Sequence, residues 1–278
     1  MDIGVCIFPT DRAIRPDDLA RELEARKFES LFVPEHTHIP TSRRSPFAGG
    51  RPLPEEYKRT HDPFVALMAA AAATKNLKVG TGICLIIERD TLTTAKSVAS
   101  LDVLSNGRFL LGIGGGWNAE EMEHHGTDFK TRFRKLEEQV RAFKEIWTKD
   151  EPEFHGAHVH FDRSWSWPKP AQKPHPPILL GGESKYTLQR VVDLCDGWFP
   201  RGRSPEVTLN AYKELREIAS RKGRDMKTIS VSIFAAPPEQ AKLDLFRQAG
   251  ATRALLLLPP EGRETVLPLL DQWAKLIQ

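Results

Sequence analysis

Eight short apolar runs punctuate the 278-residue chain, and most are followed by a segment of helical periodicity. They are IGVCIF (3–8), SLFVPE (30–35), LKVGTGICLI (77–86), RFLLGI (108–113), PILLGG (177–182), GWFP (197–200), ISVSIF (229–234) and RALLLL (253–258). Most show no polar alternation. A strand that reads as one continuous apolar run is buried on both faces, the condition of a parallel sheet covered by helices. Helices are expected over Pro16–Lys27, Pro63–Thr74, Thr91–Leu104, Thr131–Trp147, Ser184–Cys195, Glu206–Lys222, Glu239–Ala249 and Glu264–Ile277. In the fourth of these, Phe133, Leu136, Val140, Phe143 and Trp147 recur at three- and four-residue steps and form one apolar stripe. Asp90 and Ser204 are placed as N-caps, and Gly107, Gly223 and Gly250 stand where helix ends use a left-handed residue. The pattern predicts an α/β fold, a (β/α)8 TIM barrel forming a single domain over 1–278. A doubly wound open sheet would use fewer strands and carry its glycine signature after the first; here the strongest cluster follows the fourth.

Composition removes several classes. Charged residues make up 28% of the chain and the net charge is only +3, with no dominant run of like charges, so no nucleic-acid partner is expected. The longest apolar block, FVALMAAAAA from Phe64, spans about half of a membrane helix, so no membrane association is expected. The start, MDIGVCIFPT, lacks the basic region of a signal peptide. Cys6, Cys84 and Cys195 are odd in number and lack CxxC spacing, which reads as buried or free thiols in a cytoplasmic protein.

Two stretches interrupt the rhythm. Residues 37–60, rich in proline, glycine and arginine, form an insertion after the second strand that is expected to cover the active site. Residues 149–176 hold a hairpin, EFHGAHVHF, and a proline-rich crossing, and are likewise expected to precede or cover functional loops.

Barrel active sites lie at the C-terminal ends of the strands. Gly114, Gly115 and Gly116 fall at such an end, where absent Cβ atoms let the backbone approach a ligand or simply make a tight turn. Gly181 and Gly182, followed by Ser184 at a helix start, make a strand–glycine–helix arrangement suited to phosphate. His36 follows the second strand and reads as a proton donor facing the barrel mouth or as a polar rim residue. His36-x-His38 also has the form of a metal pair, but the fifth, sixth and eighth strands end without the further ligands such a site needs, so no metal is expected. His124 and His125 sit at a helix-to-loop junction and read as surface; His155, His158 and His160 belong to the hairpin, with no evident acidic partner. Arg43, Arg44 and Arg51 either meet an anionic ligand or are solvated loop charge, and Trp117, Trp165 and Trp167 either frame a pocket or pack a lid.

Several stretches together resemble the bacterial luciferase-like flavin-dependent oxidoreductases. They are FVPEHTHIP, the run VGTGICLIIERDTLTTAKSVASLDVLSNGRFLLGIGGGWNAEEMEHHG, RFRKLEEQVRAFKEIWTKDEPEFHG, and PPILLGG with the later VVDLCDGWFPRG. RPLPEEY, DPFVAL and WSWPKP are similar to a subgroup that uses the deazaflavin F420. The resemblance implies a barrel with insertions, usually dimeric, and a non-prolyl cis peptide at Gly82–Ile83 against the back of the cofactor ring. It places Glu35 and His36 near the reacting ring edge, Gly115 and Gly116 beside the cofactor, and Gly181 and Gly182 at its phosphate tail. His36 becomes the acid/base group; Glu35 stands where many relatives carry aspartate. The function implied is hydride transfer between F420 and a small organic substrate. The alternatives are a monooxygenase using reduced FMN and O2, fed by a flavin reductase partner, and a non-catalytic flavin-binding barrel. A homodimer is expected through helices 63–74 and 91–104, which carry more apolar surface than one barrel face uses.

Overall fold

The computed structural model describes residues 1–202 and 204–277. Its strands are β1 (Asp2–Cys6), β2 (Ser30–Val33), β3 (Lys78–Thr81), β4 (Phe109–Ile113), β5 (Phe154–His155), β6 (His160–Phe161), β7 (Ile178–Gly181), β8 (Gly197–Phe199), β9 (Ser230–Phe234) and β10 (Arg253–Leu257). Its helices are α1 (Pro16–Ala25), α2 (Pro63–Ala72), α3 (Thr91–Leu104), α4 (Ala119–His124), α5 (Arg132–Thr148), α6 (Lys185–Leu194), α7 (Pro205–Arg221), α8 (Gln240–Ala249) and α9 (Arg263–Trp273). All strands but β5 and β6 close into one parallel barrel in the order β1-β10-β9-β8-β7-β4-β3-β2. The eight apolar runs are these eight barrel strands. All but β4 and β9 leave the ladder before their apolar run ends, and the residues left over build the rim. In β3 the ladder stops at Thr81, the Gly82–Ile83 peptide is cis, and a 3-10 turn (Ile86–Glu88) follows.

Apolar side chains sort into two layers, as the continuous runs require. Outward-facing residues such as Leu31, Val79, Leu111 and Leu256 pack beneath the helices. Inward-facing Cys6, Phe32, Leu110, Leu179, Phe199 and Leu255 fill the barrel. Phe32 and Phe199 are the two rings of this layer, and Gly80 leaves Phe32 room: a Cβ on Gly80 would lie 2.5 Å from the Phe32 ring. Fully burying such a ring contributes roughly 1.5–3 kcal/mol. On α5 the predicted stripe buries Leu136, Val140, Phe143 and Trp147, but not Phe133. Phe133 sits one turn above that core, against the barrel mouth. Asp90 caps α3 through the Thr93 N–H, whereas Ser204 makes no side-chain cap. Gly107, Gly223 and Gly250 all take positive φ.

The N-terminal end of the barrel is locked by charge. Arg253, whose side chain is 5% exposed, donates from Nε to Glu29 Oε2 at 2.5 Å and from Nη1 to Ser232 Oγ at 2.9 Å. Lys78 Nζ reaches Glu29 Oε1 at 2.9 Å, so starts of β3 and β10 are tied to the residue before β2. Arg108, just before β4, donates to the carbonyls of Leu77 (2.6 Å), Ser105 (2.7 Å) and Ala71 (2.8 Å).

The two insertions go to opposite ends. Residues 37–60 fold back over the C-terminal mouth, held by Thr60 Oγ1 donating to the His36 carbonyl at 2.8 Å. Residues 149–176 do not cover the mouth, contrary to the expectation from sequence. They run from the end of α5 to the start of β7, a helix-to-strand connection, and such connections lie at the closed end. The hairpin of β5 and β6 is antiparallel and rests on α5, where Glu138 accepts the His158 and Val159 N–H groups.

Candidate active site

A cavity of about 960 Å³ opens at the C-terminal ends of the strands. Its floor is Ile83. An added Cβ on Gly114 would lie 2.8 Å from Ile83 Cδ1, and one on Gly181 3.4 Å from Ile83 Cγ2. Gly115 and Gly116 have the same tightness toward the protein itself: Cβ atoms there would stand 2.6 Å from the Phe133 ring and 2.5 Å from Met122 Cε. Gly116 and Gly182 also adopt positive φ, +62° and +114°. The glycines therefore do two things. They seat Ile83, Phe133 and Met122 tightly against the backbone, and the flat surface that results walls the cavity.

One end of this slot is formed by Gly182, Glu183, Ser184 and Thr187 at the start of α6, with Arg201 alongside. Ser184 Oγ accepts the Thr187 N–H at 3.2 Å, and the earlier N–H groups of the first turn have no acceptor within the helix. Arg201 is paired with Glu183 at 2.7 Å.

The other end is aromatic. His36, Tyr57, Phe47 and Trp117 stand ring against ring, with His36–Tyr57 centroids 5.2 Å apart and Phe47–Tyr57 5.1 Å. Phe8 packs on Tyr57 at 4.8 Å. Three of these rings come from the 37–60 insertion or the strand end that precedes it, so folding of that loop builds this chamber. Arg44 and Arg51 lie at its edge; Arg44 pairs with Glu123 at 2.6 Å, while Arg51 stacks on Phe47 and makes no ion pair among the described residues. Arg43 stacks on Trp117.

His36 lines the cavity, and its Nδ1 lies 2.7 Å from Glu121 Oε2. Glu121 is fully buried on α4 and also accepts the Thr37 N–H at 3.1 Å. A carboxylate on Nδ1 orients the ring and leaves Nε2 for the cavity. Glu35 lines the cavity too, but its carboxylate accepts the Leu85 N–H (2.7 Å) and Arg89 Nε (2.5 Å), so it braces the turn after β3.

Of the residues singled out in the sequence, His36, Glu35, Gly82, Ile83, Gly115, Gly116, Gly181, Gly182, Arg44, Arg51 and Trp117 all line this one cavity. Trp165 and Trp167 do not; they are 80% and 57% exposed on the proline-rich crossing. His124 and His125 are exposed at the end of α4, where His38 Nε2 meets His124 Nδ1 at 2.8 Å. On the hairpin, His155 and His160 do have acidic neighbours, Glu153 at 3.7 Å and Asp162 at 4.0 Å. These side chains are exposed and far from the mouth, with no buried group to orient them. Sequence reasoning missed Glu121, Tyr57 and Phe8. The three cysteines are free and buried, and burial pushes their thiols up.

One cavity thus joins a glycine-walled slot at the mouth of a closed parallel barrel, a helix N-terminus at one end of it and a carboxylate-backed histidine at the other. The chain belongs to the luciferase-like monooxygenase family, whose model matches residues 11–247. It is 36% identical over 278 residues to an uncharacterized protein of Mycobacterium tuberculosis, covering 99% of this chain and 98% of that one. It is 33% identical over 177 residues to an FMNH2-dependent dimethylsulfone monooxygenase of Pseudomonas putida, 63% of this chain and 48% of the relative. In fold it is similar to an F420-dependent secondary alcohol dehydrogenase solved with an F420–acetone adduct, with TM-score 0.78, 17% identity and coverage of 100% and 98%.

Proposed function

We propose that this protein is an F420-dependent oxidoreductase that moves a hydride between the deazaflavin and a small organic substrate. The observation that carries the reading is one cavity joining three features: a flat slot over Ile83, the N-terminus of α6, and His36 facing an aromatic chamber. A planar tricyclic ring with a phosphate tail fits those residues, with Gly114–Gly116 and Phe199 along the ring and Gly182–Ser184 at the phosphate. When bound, the cofactor supplies the carbon that gains or loses the hydride. The chain's own part is to orient and to handle the proton. Phe8, Phe47, Tyr57 and Trp117 exclude water around the substrate carbon, which suits an uncharged, apolar alcohol or carbonyl compound. His36 Nε2 takes the hydroxyl proton on oxidation or returns it on reduction, while Glu121 holds Nδ1. Arg51 is placed to meet an anionic tail.

The FMN reading stays in view because the Pseudomonas putida relative is named for FMNH2. On that reading the chain takes reduced FMN from a separate reductase and O2 as co-substrate. Val65, Leu92 and Leu104 are exposed on α2 and α3, which supports a homodimer through those helices. No helix among the described residues is long and apolar enough to cross a membrane, and three free, buried thiols suit the cytoplasm. Fluorescence titration with F420 and with FMN tests the proposal. Micromolar or tighter F420 binding with weaker FMN binding is expected; tight FMN binding without F420 binding contradicts it.

A further inference from the structure

Four carboxylates are buried at the mouth of the barrel: Glu120, which accepts from Ser42 Oγ and the Ser45 N–H, and a group of three, Glu35, Glu88 and Glu121. Two are answered: Glu35 by Arg89 and the Leu85 N–H, Glu121 by His36 and the Thr37 N–H. Glu88 is not. It is 6% exposed, and neither carboxylate oxygen meets a hydrogen-bond donor among the described residues; its hydrogen-bonding neighbour is another carboxyl group, Glu121. The turn that carries it cannot swing outward. Gln139 Nε2 donates to the Ile86 carbonyl at 2.8 Å, Lys135 Nζ donates to the Ile87 carbonyl at 2.8 Å, and the Thr127 hydroxyl donates to the same carbonyl at 2.5 Å. Lys135, the cation nearest in effect, is thus spent on backbone oxygen. The charged groups felt by Glu88 are Glu121 from α4, Glu35 from the end of β2 and Lys135 from α5. Burial, followed by repulsion from Glu121 and Glu35, pushes Glu88 up to about 9. At neutral pH it is a carboxylic acid with a proton to donate, beside a carboxylate that accepts from His36.

We propose that Glu88 and Glu121 are a buried proton-sharing pair that positions His36 and acts as its internal proton acceptor. The pair holds one proton at rest. When His36 Nε2 takes the proton of a substrate hydroxyl, the Nδ1 proton passes to Glu121 Oε2, so the imidazole ends neutral in its other tautomer and the pair carries two protons. The hydride leaves separately from the substrate carbon to the cofactor; reduction runs both transfers backward. Glu88 keeps the pair from carrying two negative charges while His36 is neutral. The inference rests on the reading of His36 as the proton-transfer group.

Its spectroscopic tests are made on the full-length protein without substrate. In histidine-labelled protein, with the His36 signal assigned through H36N, nitrogen chemical shifts are expected to show the ring protonated on Nδ1, and E121Q is expected to change that tautomer balance. Infrared spectra at pH 7 are expected to show the carbonyl band of a protonated carboxyl that E88Q removes. Both substitutions are isosteric, and E121D serves as a second variant if E121Q does not fold. A His36 tautomer that E121Q leaves unmoved, or no carboxylic-acid band, overturns the pair. Turnover by H36N separates the two ideas. If H36N is inactive and the band is missing, the pair fails and the reading of His36 stands. If H36N turns over normally, the internal-acceptor role is overturned even where both spectra agree.

Discussion

The two ends of this barrel treat charge in opposite ways. At the closed end buried charge is answered: Glu29 meets Arg253 and Lys78, Arg108 is spread over backbone carbonyls, and Asp102 accepts from Gln172. At the open end Arg89 pairs with Glu35 and His36 Nδ1 meets Glu121, but Glu88 has no ion pair among the described residues. Burial alone would raise Glu29, but the Arg253 guanidinium brings it down to about 2; burial and like charge take Glu88 up to about 9. One end holds its strands in register, and the other buries Glu88 with no donor or ion pair among the described residues. Satisfied charge marks the scaffold, and unsatisfied charge marks the site.

The comparison can be broken most severely at the closed end. Arg253→Ala leaves Glu29 buried with only Lys78 and is expected to cost about 3–5 kcal/mol in denaturant unfolding, with the cavity residues untouched. A loss near zero would mean that the bottom of the barrel is held by packing alone.

At the open end, Gly114→Ala is expected to change binding more than stability. The new Cβ pushes Ile83 toward the slot, so affinity for the bound flavin or deazaflavin should drop about tenfold, or ~1.4 kcal/mol, with a melting shift of only a few degrees. Equal binding would show that Ile83 is not the floor of the ring site.

The pH dependence sharpens the contrast because its sign differs between the ends. Glu29 is depressed from 4.5, so its contribution is full above pH 4.5 and is lost as pH falls toward about 2. Glu88 is raised from 4.5, so the folded chain keeps a proton that the unfolded chain releases; its contribution is full below pH 4.5 and is lost as pH rises toward about 9. Melting curves of E88Q and wild type should therefore coincide near pH 4.5 and diverge upward, with E88Q the more stable at pH 9. Parallel curves would show an ordinary carboxylate at position 88.

Much of this was legible from the residues. Parallel strands buried on both faces have to be continuous apolar runs, so all eight were visible, and the glycines and His36 stand where such strands end. Glu121 was not legible because it meets His36 across 85 positions of chain, and no local spacing encodes that contact. Glu88 looks like any polar residue in IIERD; only the clamp by Gln139, Thr127 and Lys135 buries it. Phe133 fits a core periodicity yet walls the cavity, since a helical stripe does not tell where the barrel layer stops. The 149–176 insertion was misplaced because its tryptophans invite a pocket reading, although its position between a helix and the next strand puts it at the closed end. The smallest predicted effect follows: Trp165→Ala with Trp167→Ala should leave cofactor affinity unchanged in the same titration.

The most direct measurement is a structure of the protein soaked with F420 or FMN. The tricyclic ring should lie on Ile83 between Gly114–Gly116 and Phe199, with its phosphate at the N-terminus of α6 and His36 beside the ring edge. A ring bound elsewhere, or a phosphate away from Gly182 and Ser184, would contradict the account.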